Sequence, residues 1–418
     1  MLDKKILILA NNPLSDSNSN GRTLKNFFAP EDQERLCQMY VQGGTPDFDA
    51  CTRFFCVGDR DVLKAFVKHS SAGREVFAGE ITDAPIQTQK KRIAKNPFTL
   101  LARDFLWNRR GWRKEFFSWI EKNAPDVLLL QAGDSPFMYR LAVNIAKRKN
   151  LPLVIYNSED YYFKNYDYTR STGISHALYP LFAYKLRRAI RAAIKYATLS
   201  IYISEDLKRT YDAEFSKPSE YIYTATTVAP YDKNTVEGRF SYLGNLGVNR
   251  HLGLIKIAEA LSKINENYVL DVYGKLPNEI VEKAFADCRA IRYHGLVDYA
   301  TVCQVMGEST LLFHTESFEK FYRQDIRHGF STKIADSLAS GTCFVIYAPP
   351  ELSCTKYLKE NACACVIDNE ADLETKLREV IMSPELRRTY IERGKAVVLQ
   401  NHNAEKNRKR MAEIINSL

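Results

Sequence analysis

The chain has 418 residues, 45% hydrophobic and 26% charged, with 59 Lys and Arg against 50 Asp and Glu for a formal net charge of +9. Those proportions exclude a disordered chain, a collagen-like chain and a small disulfide scaffold. At roughly 100–200 residues per domain the length suits two domains, and the mild basic excess points to anionic partners without naming one.

The first apolar run, Ile6 to Ala10, is too short for a signal-peptide core and reads as a buried strand. No stretch reaches the roughly 18 apolar residues that span a bilayer. The nine cysteines lack paired metal-type spacing, apart from Cys363 and Cys365 one residue apart. Reduced thiols in a cytoplasmic protein, peripheral on the inner face of the membrane if it binds one, are therefore expected.

Further short apolar runs at 52–57, 126–131, 152–156, 198–203 and 220–223 read as strands covered on both faces. Helical spacing over 135–148, with Phe137, Leu141 and Ile145, and over 177–195 places helices between them. The pattern restarts after a Thr-rich, polar stretch at 224–238, the linker candidate, which contains Pro230 and Asp232. Strands are expected at 239–243, 268–273, 291–294, 310–313 and 343–347, and helices at 251–264, 278–289, 299–307 and 333–339. A long polar helix over about 384–418 ends the chain. Strand–helix alternation of this kind predicts an α/β fold with doubly wound sheets.

Three signals in the second half carry chemistry. Strand 239–243 runs into Gly244-Asn245-Leu246-Gly247-Val248-Asn249-Arg250 and then a helix. Glycines admit a ligand close to the backbone, and a helix N-terminus offers free N–H groups to an anion. The plain alternative is an ordinary βα turn, and the glycine spacing is not the dinucleotide fingerprint. Next, Tyr293-His294-Gly295-Leu296-Val297-Asp298-Tyr299 is a strand end followed by an Asp-capped helix, whose backbone can read a nucleobase edge. Last, Gly329-Phe330-Ser331-Thr332-Lys333-Ile334-Ala335-Asp336 opens another helix, with Ser331 or Thr332 as N-cap. Lys333 and Asp336 share a face three residues apart, a cation for phosphates and a carboxylate for a ribose diol, or else an ordinary surface pair.

In this order the three signals resemble the C-terminal domain of GT-B glycosyltransferases, close to glycosyltransferase family 4 (glycosyl transferases group 1). Gly244 to Leu246 matches the first glycine element, and Arg250 stands where the family's phosphate-binding Lys usually sits. Asn245 replaces the usual Arg. Asp271 to Gly274 matches the second strand, and Gly295-Leu296-Val297 the third element. Asp336 falls on the second Glu of the paired-carboxylate motif and His328 on the first, so the sugar-contacting carboxylate is missing while the ribose contact persists. The resemblance covers most of 240–400 and, more loosely, 1–225. It implies two Rossmann-like domains facing across a cleft: an acceptor domain 1–225, a nucleotide-sugar domain 226–395, and a terminal helix 396–418 crossing back to the first.

The resemblance further implies a retaining transferase that needs no metal or other cofactor. Its donor would be a nucleotide-sugar, a UDP-sugar first and a GDP-sugar second, and its acceptor a glycan or lipid-linked glycan in surface polysaccharide assembly. Donor contacts would come from Gly21, Gly244, Asn245, Arg250, Gly274, Leu296, Val297, His328, Ser331, Thr332, Lys333 and Asp336. Arg250 and Lys333 would offset charge on the leaving diphosphate. In the acceptor half the strand ends at Gln131–Ser135 and Tyr156–Tyr162 lack the family's His, which leaves Glu159 and Asp160 to orient an acceptor hydroxyl, with Asp134 as the alternative. The pairs Asp47/Asp49 and Asp59/Asp61 look like a metal motif but lie early in the chain, and Asp59/Asp61 reads as a helix cap after strand 52–57. A nucleotide-sugar epimerase and an inactive binding subunit of the same architecture are the rival readings.

Residues 90–114 hold Lys90, Lys91, Arg92, Lys95, Arg103, Arg109, Arg110, Arg113 and Lys114 against Asp104 alone, a local net of +8. With Trp107, Trp112 and Trp119 interleaved, 90–119 reads either as a membrane-surface element or as a solvated helix packed on the sheet. Lys185, Arg187, Arg188, Arg191 and Lys195 form a second basic cluster. No nucleic-acid module accompanies either.

Overall fold

The computed structural model describes residues 1–41, 44–78, 95–109, 111–228 and 235–418. Lys90, Lys91, Arg92 and Arg110 of the basic segment, and Pro230 and Asp232 of the linker stretch, lie outside the described residues. The chain divides into two compact units, Met1–Tyr223 with Ala404–Leu418, and Thr224–Asn403.

The first unit is built on eight strands among the described residues: β1 (Ile6–Ala10), β2 (Leu36–Tyr40), β3 (Arg53–Cys56), β4 (Arg74–Val76), β5 (Val127–Gln131), β6 (Leu153–Asn157), β7 (Leu199–Tyr202) and β8 (Ser219–Tyr221). Their order is β4-β3-β2-β1-β5-β6-β7-β8. All pairings are parallel except the antiparallel β3–β4 edge. The central strands are buried at every position, as an apolar run without alternation requires when helices cover both faces. Strand β2 is absent from the expectations above. Cys37 and Gln38 interrupt its apolar pattern, and Gln38 is buried because it satisfies the loop after β1: its Oε1 accepts from Leu14 N at 2.7 Å and its Nε2 donates to Asn12 O at 3.1 Å.

The second unit has a parallel sheet: β9 (Phe240–Leu243), β10 (Leu270–Tyr273), β11 (Ile291–Gly295), β12 (Leu311–Thr315), β13 (Cys343–Tyr347) and β14 (Cys365–Ile367), in the order β11-β10-β9-β12-β13-β14. Its core gathers Phe240, Tyr242, Leu254, Ile257, Leu270 and Val345. In each unit the order reverses beside the first strand, between β1 and β5 and between β9 and β12. Both sheets are thus doubly wound, with a crevice outside the carboxyl ends at the switch point, where such sheets take ligands.

The long terminal helix is broken. Helix Pro384–Val397 passes into a single wide turn, Val398–His402, and a second helix, Ala404–Asn416, follows. Neither Gly nor Pro marks the break; Asn403 leaves helical geometry to form a parallel bridge with Thr226, and Thr226 N donates to His402 O at 2.9 Å. The last helix sinks Met411, Ala412 and Ile415 into the first unit's core beside Ile6 and Ile8.

All nine cysteines are unpaired. No helix among the described residues is long and apolar enough to cross a membrane. Of the aromatic residues over 97–119, Trp107, Trp112, Phe116 and Trp119 are buried, while Phe98 and Phe105 are exposed. The tryptophans therefore belong to the packing of this unit: Trp107 stacks on Phe137 with centroids 4.4 Å apart, and Trp112 Nε1 donates to Trp107 O.

Candidate functional site

The crevice of the second unit is made by the loops after β9, β10, β11 and β12. Gly244 leaves β9 and donates its N–H to Tyr273 O at 2.9 Å, and Gly274 donates to Gly295 O at 2.8 Å, so three consecutive strand ends are laced by backbone. Gly274 has φ 153, and a Cβ there would lie 2.1 Å from Gly244 O. No side chain fits. A Cβ on Gly244 would meet the Tyr242 hydroxyl at 2.8 Å and Lys333 Cδ at 3.3 Å. The Lys333 stem therefore lies against the Gly244 loop. The Tyr242 hydroxyl itself donates to Asn245 O at 2.7 Å. Val248 and Asn249 both have left-handed backbone (φ 52 and 55) just before helix Arg250–Ile264. Such backbone at a β-branched valine is a strained conformation that the surroundings must impose.

Arg250 supplies part of that constraint. Its Nε and Nη2 donate to Glu316 Oε2 and Oε1 at 2.9 and 2.8 Å, and its Nη1 donates to Asn245 O at 3.2 Å. Glu316 directly follows β12, so this bidentate pair joins the two strand ends that flank the switch point. Only 14% of the Arg250 side chain and 6% of the Glu316 side chain meet solvent. Burial alone would raise the Glu316 pKa; the Arg250 charge and the hydrogen bond from His314 Nε2 at 3.0 Å overcome it and hold the carboxyl at about 2. Burial alone would lower the Arg250 pKa; the Glu316 charge, the Tyr242 hydroxyl and the hydrogen bonds to Glu316 together overcome it and drive it upward.

The other predicted donor residues fall on the same strand ends or on the following helix. Leu296, 72% exposed, and Val297 continue from Gly295. His328 is buried. Ser331 holds the N-cap position of helix Thr332–Ala339 without a side-chain capping bond, and the helix carries Thr332, Lys333 and Asp336. Asp336 Oδ1 accepts from Thr226 Oγ1 at 2.6 Å. Glu316, His314, Tyr242 and Thr226 were missed by sequence reasoning. A charge at the carboxyl end of an apolar strand was the available signal for Glu316; the partner strand was not readable without the topology.

Gly21, Glu159 and Asp160 lie in the first unit. Gly21 sits in the first turn of helix Ser19–Lys25, where a Cβ would strike Pro13 O at 2.2 Å, and its N–H donates to Asn18 Oδ1. Asp160 is occupied by its own turn: Oδ1 accepts from Tyr162 N (2.9 Å), Phe163 N (3.0 Å) and the Tyr211 hydroxyl (2.9 Å). Glu159 is exposed. Burial first, then the charges of Glu159 and Asp134, push the Tyr161 hydroxyl well above its ordinary value. Asp134, buried at the end of β5, pairs with Lys95. The aspartate pairs do structural work: Asp47 binds Lys25 at 2.6 Å, Asp59 accepts from Arg103 and Trp107, each at 2.7 Å, and Asp61 accepts from Gly58 N at 2.9 Å.

Residues 250–416 match the family model described as glycosyl transferase-like. The chain has the GT-B fold, and its C-terminal part resembles a glycosyl transferase-like domain. Its fold is similar to that of Anabaena HepE, solved with UDP and glucose (TM-score 0.65, 12% identity, 99% of this chain and 100% of that one). Sucrose-phosphate synthase from Thermosynechococcus elongatus is alike to the same degree (0.64, 10%, 99% and 99%). WaaG, a glycosyltransferase involved in lipopolysaccharide biosynthesis, is less alike (0.54, 12%, 99% and 100%). No curated protein matches.

Proposed function

We propose that the protein transfers a sugar, with retention of anomeric configuration, from a UDP-sugar to a glycan or lipid-linked acceptor in surface polysaccharide assembly. The observation that carries the donor half is the laced strand edge Gly244–Gly274–Gly295 with the Lys333 stem against it. It gives side-chain-free backbone, a helix N-terminus and a cation within one crevice, the chemistry a nucleoside diphosphate requires. In this reading Lys333 offsets charge on the leaving diphosphate, Asp336 receives the ribose diol, and Leu296 and Val297 present backbone to the base. Arg250 acts chiefly as a clamp: its charge is matched by Glu316, so it shapes the Gly244 loop and adds little net positive potential. Support for UDP is that HepE is solved with UDP and with UDP-glucose. Support for surface polysaccharide is that WaaG takes part in lipopolysaccharide biosynthesis.

Glu159 or Asp134 is the carboxylate proposed to orient the acceptor hydroxyl, because Asp160 Oδ1 is already committed to three donors. Exposed Phe98 and Phe105, with Arg109 over the Phe105 ring at 4.3 Å, are what a membrane contact of this segment would use. The test is incubation with UDP-glucose and oligosaccharide acceptors, followed by the anomeric proton coupling of the product. An α-linked product is expected. A β-linked product overturns retention, and free UDP with an epimerised sugar in the absence of acceptor overturns transfer itself.

A further inference from the structure

Helix Tyr179–Tyr196 carries Tyr184, Arg187, Arg188 and Arg191 at spacings of three and four, so one face of it is a basic stripe. That face and the loop after β6 enclose a cavity of about 590 Å³, lined by these residues together with Tyr162 and Tyr179. Like charges on one helix face repel one another, and among the described residues few groups answer them. Arg191 Nη2 meets Glu214 Oε1 at 3.1 Å. Arg187 spends one N–H on Lys164 O at 2.6 Å. Arg188 makes no hydrogen bond or ion pair among the described residues. The arginines are nevertheless ordered from behind: Arg191 Nε donates to the Tyr162 hydroxyl at 2.9 Å, which donates in turn to Glu214 Oε1 at 2.8 Å.

We infer that this cavity is a binding site for a phosphate-bearing saccharide. Guanidinium forks match phosphate oxygens two at a time, and several of them converging on one concavity select a compact anion. Tyr179 and Tyr184 supply apolar ring faces, and Tyr184 is 60% exposed. The size falls within the roughly 300–1,000 Å³ typical of small-ligand sites. The inference deepens the transferase reading by naming the acceptor's chemistry, and for that role it rests on it; the binding itself does not.

Calorimetric titration of the full chain tests it with two phosphate probes, glucose 6-phosphate and phosphatidylcholine vesicles doped with phosphatidic acid. Glucose and undoped vesicles are the controls, and UDP is titrated into every variant. Binding of glucose 6-phosphate, weakened about tenfold or more in Arg188→Glu, supports a soluble phosphosugar. Binding of doped vesicles alone, with the same dependence on Arg188, supports the phosphate of a lipid-borne sugar. Binding of neither probe, or binding unchanged in Arg188→Glu and in Arg187→Ala, overturns the site. Unchanged UDP binding in these variants shows that they are folded and keeps this outcome separate from failure of the donor reading.

Discussion

At the scale of single residues the Arg250–Glu316 pair decides how the Gly244–Asn249 loop behaves. A buried pair loses its partner at great cost, because the remaining charge has no solvent to turn to. Arg250→Ala should therefore destabilise the protein by about 3–5 kcal/mol as Glu316 is stranded, whereas the double change Arg250→Met with Glu316→Met should be close to neutral. Urea unfolding of both variants checks this, and equal losses in the two would refute the clamp. The pair also sets an acid limb. Glu316 is held at about 2 against an ordinary 4.5, so its stabilisation is complete above about pH 4.5 and drains away as pH falls toward 2. Gly274→Ala should disrupt the same crevice from the other side, since its Cβ would sit 2.1 Å from Gly244 O. Weakened UDP binding in a chain that still folds is the expected outcome. The glycines were legible in the sequence, because strand–glycine–helix order already marks backbone approach. Glu316 was not: its meaning comes from β12 lying beside β9, a pairing between residues 66 apart that no local pattern encodes.

At the scale of elements the wide turn at Val398–His402 shows a tertiary contact overriding helical propensity. His402 is fully buried, with Nδ1 donating to Thr224 O at 2.7 Å and Nε2 accepting from the Tyr357 hydroxyl at 2.9 Å. A carbonyl can only accept, so Nδ1 carries a proton. Burial lowers the His402 pKa to about 4, although the bond to Thr224 works the other way. Between about 6.5 and 4 the unfolded chain binds a proton that the folded chain refuses, so stability falls as pH drops through that window, by on the order of 3 kcal/mol. His402→Gln should flatten this part of the stability–pH curve measured by denaturant unfolding. A curve as steep as that of the unaltered protein would show that another group is responsible. Sequence periodicity carried one helix through 384–418 because the Asn-His-Asn stretch has no strong breaker; the stop comes from Thr224 and Thr226, which are distant in the chain.

At the scale of the whole molecule, both sheets were readable from short apolar runs, since strands covered on both faces need no alternation to be recognised. Strand β2 was hidden by its buried polar Gln38, which serves the loop after β1. The last helix closes the first unit's core from the far end of the chain, with Asn407 Nδ2 donating to Tyr223 O at 2.9 Å and Asp3 N to Asn416 Oδ1 at 3.0 Å. Truncation after Asn403 should therefore destabilise the first unit, although every strand of its sheet remains, and protease sensitivity confined to residues before Tyr223 would report it. In the other unit, the laced glycine edge with Lys333 is proposed to hold a nucleoside diphosphate. Calorimetric titration of UDP into the unaltered protein and into Lys333→Ala tests it most directly. Saturable one-to-one binding is expected, weakened about tenfold or more in the variant while the unfolding midpoint is unchanged. Failure of the unaltered protein to bind UDP, or equal affinity in the two, would contradict it.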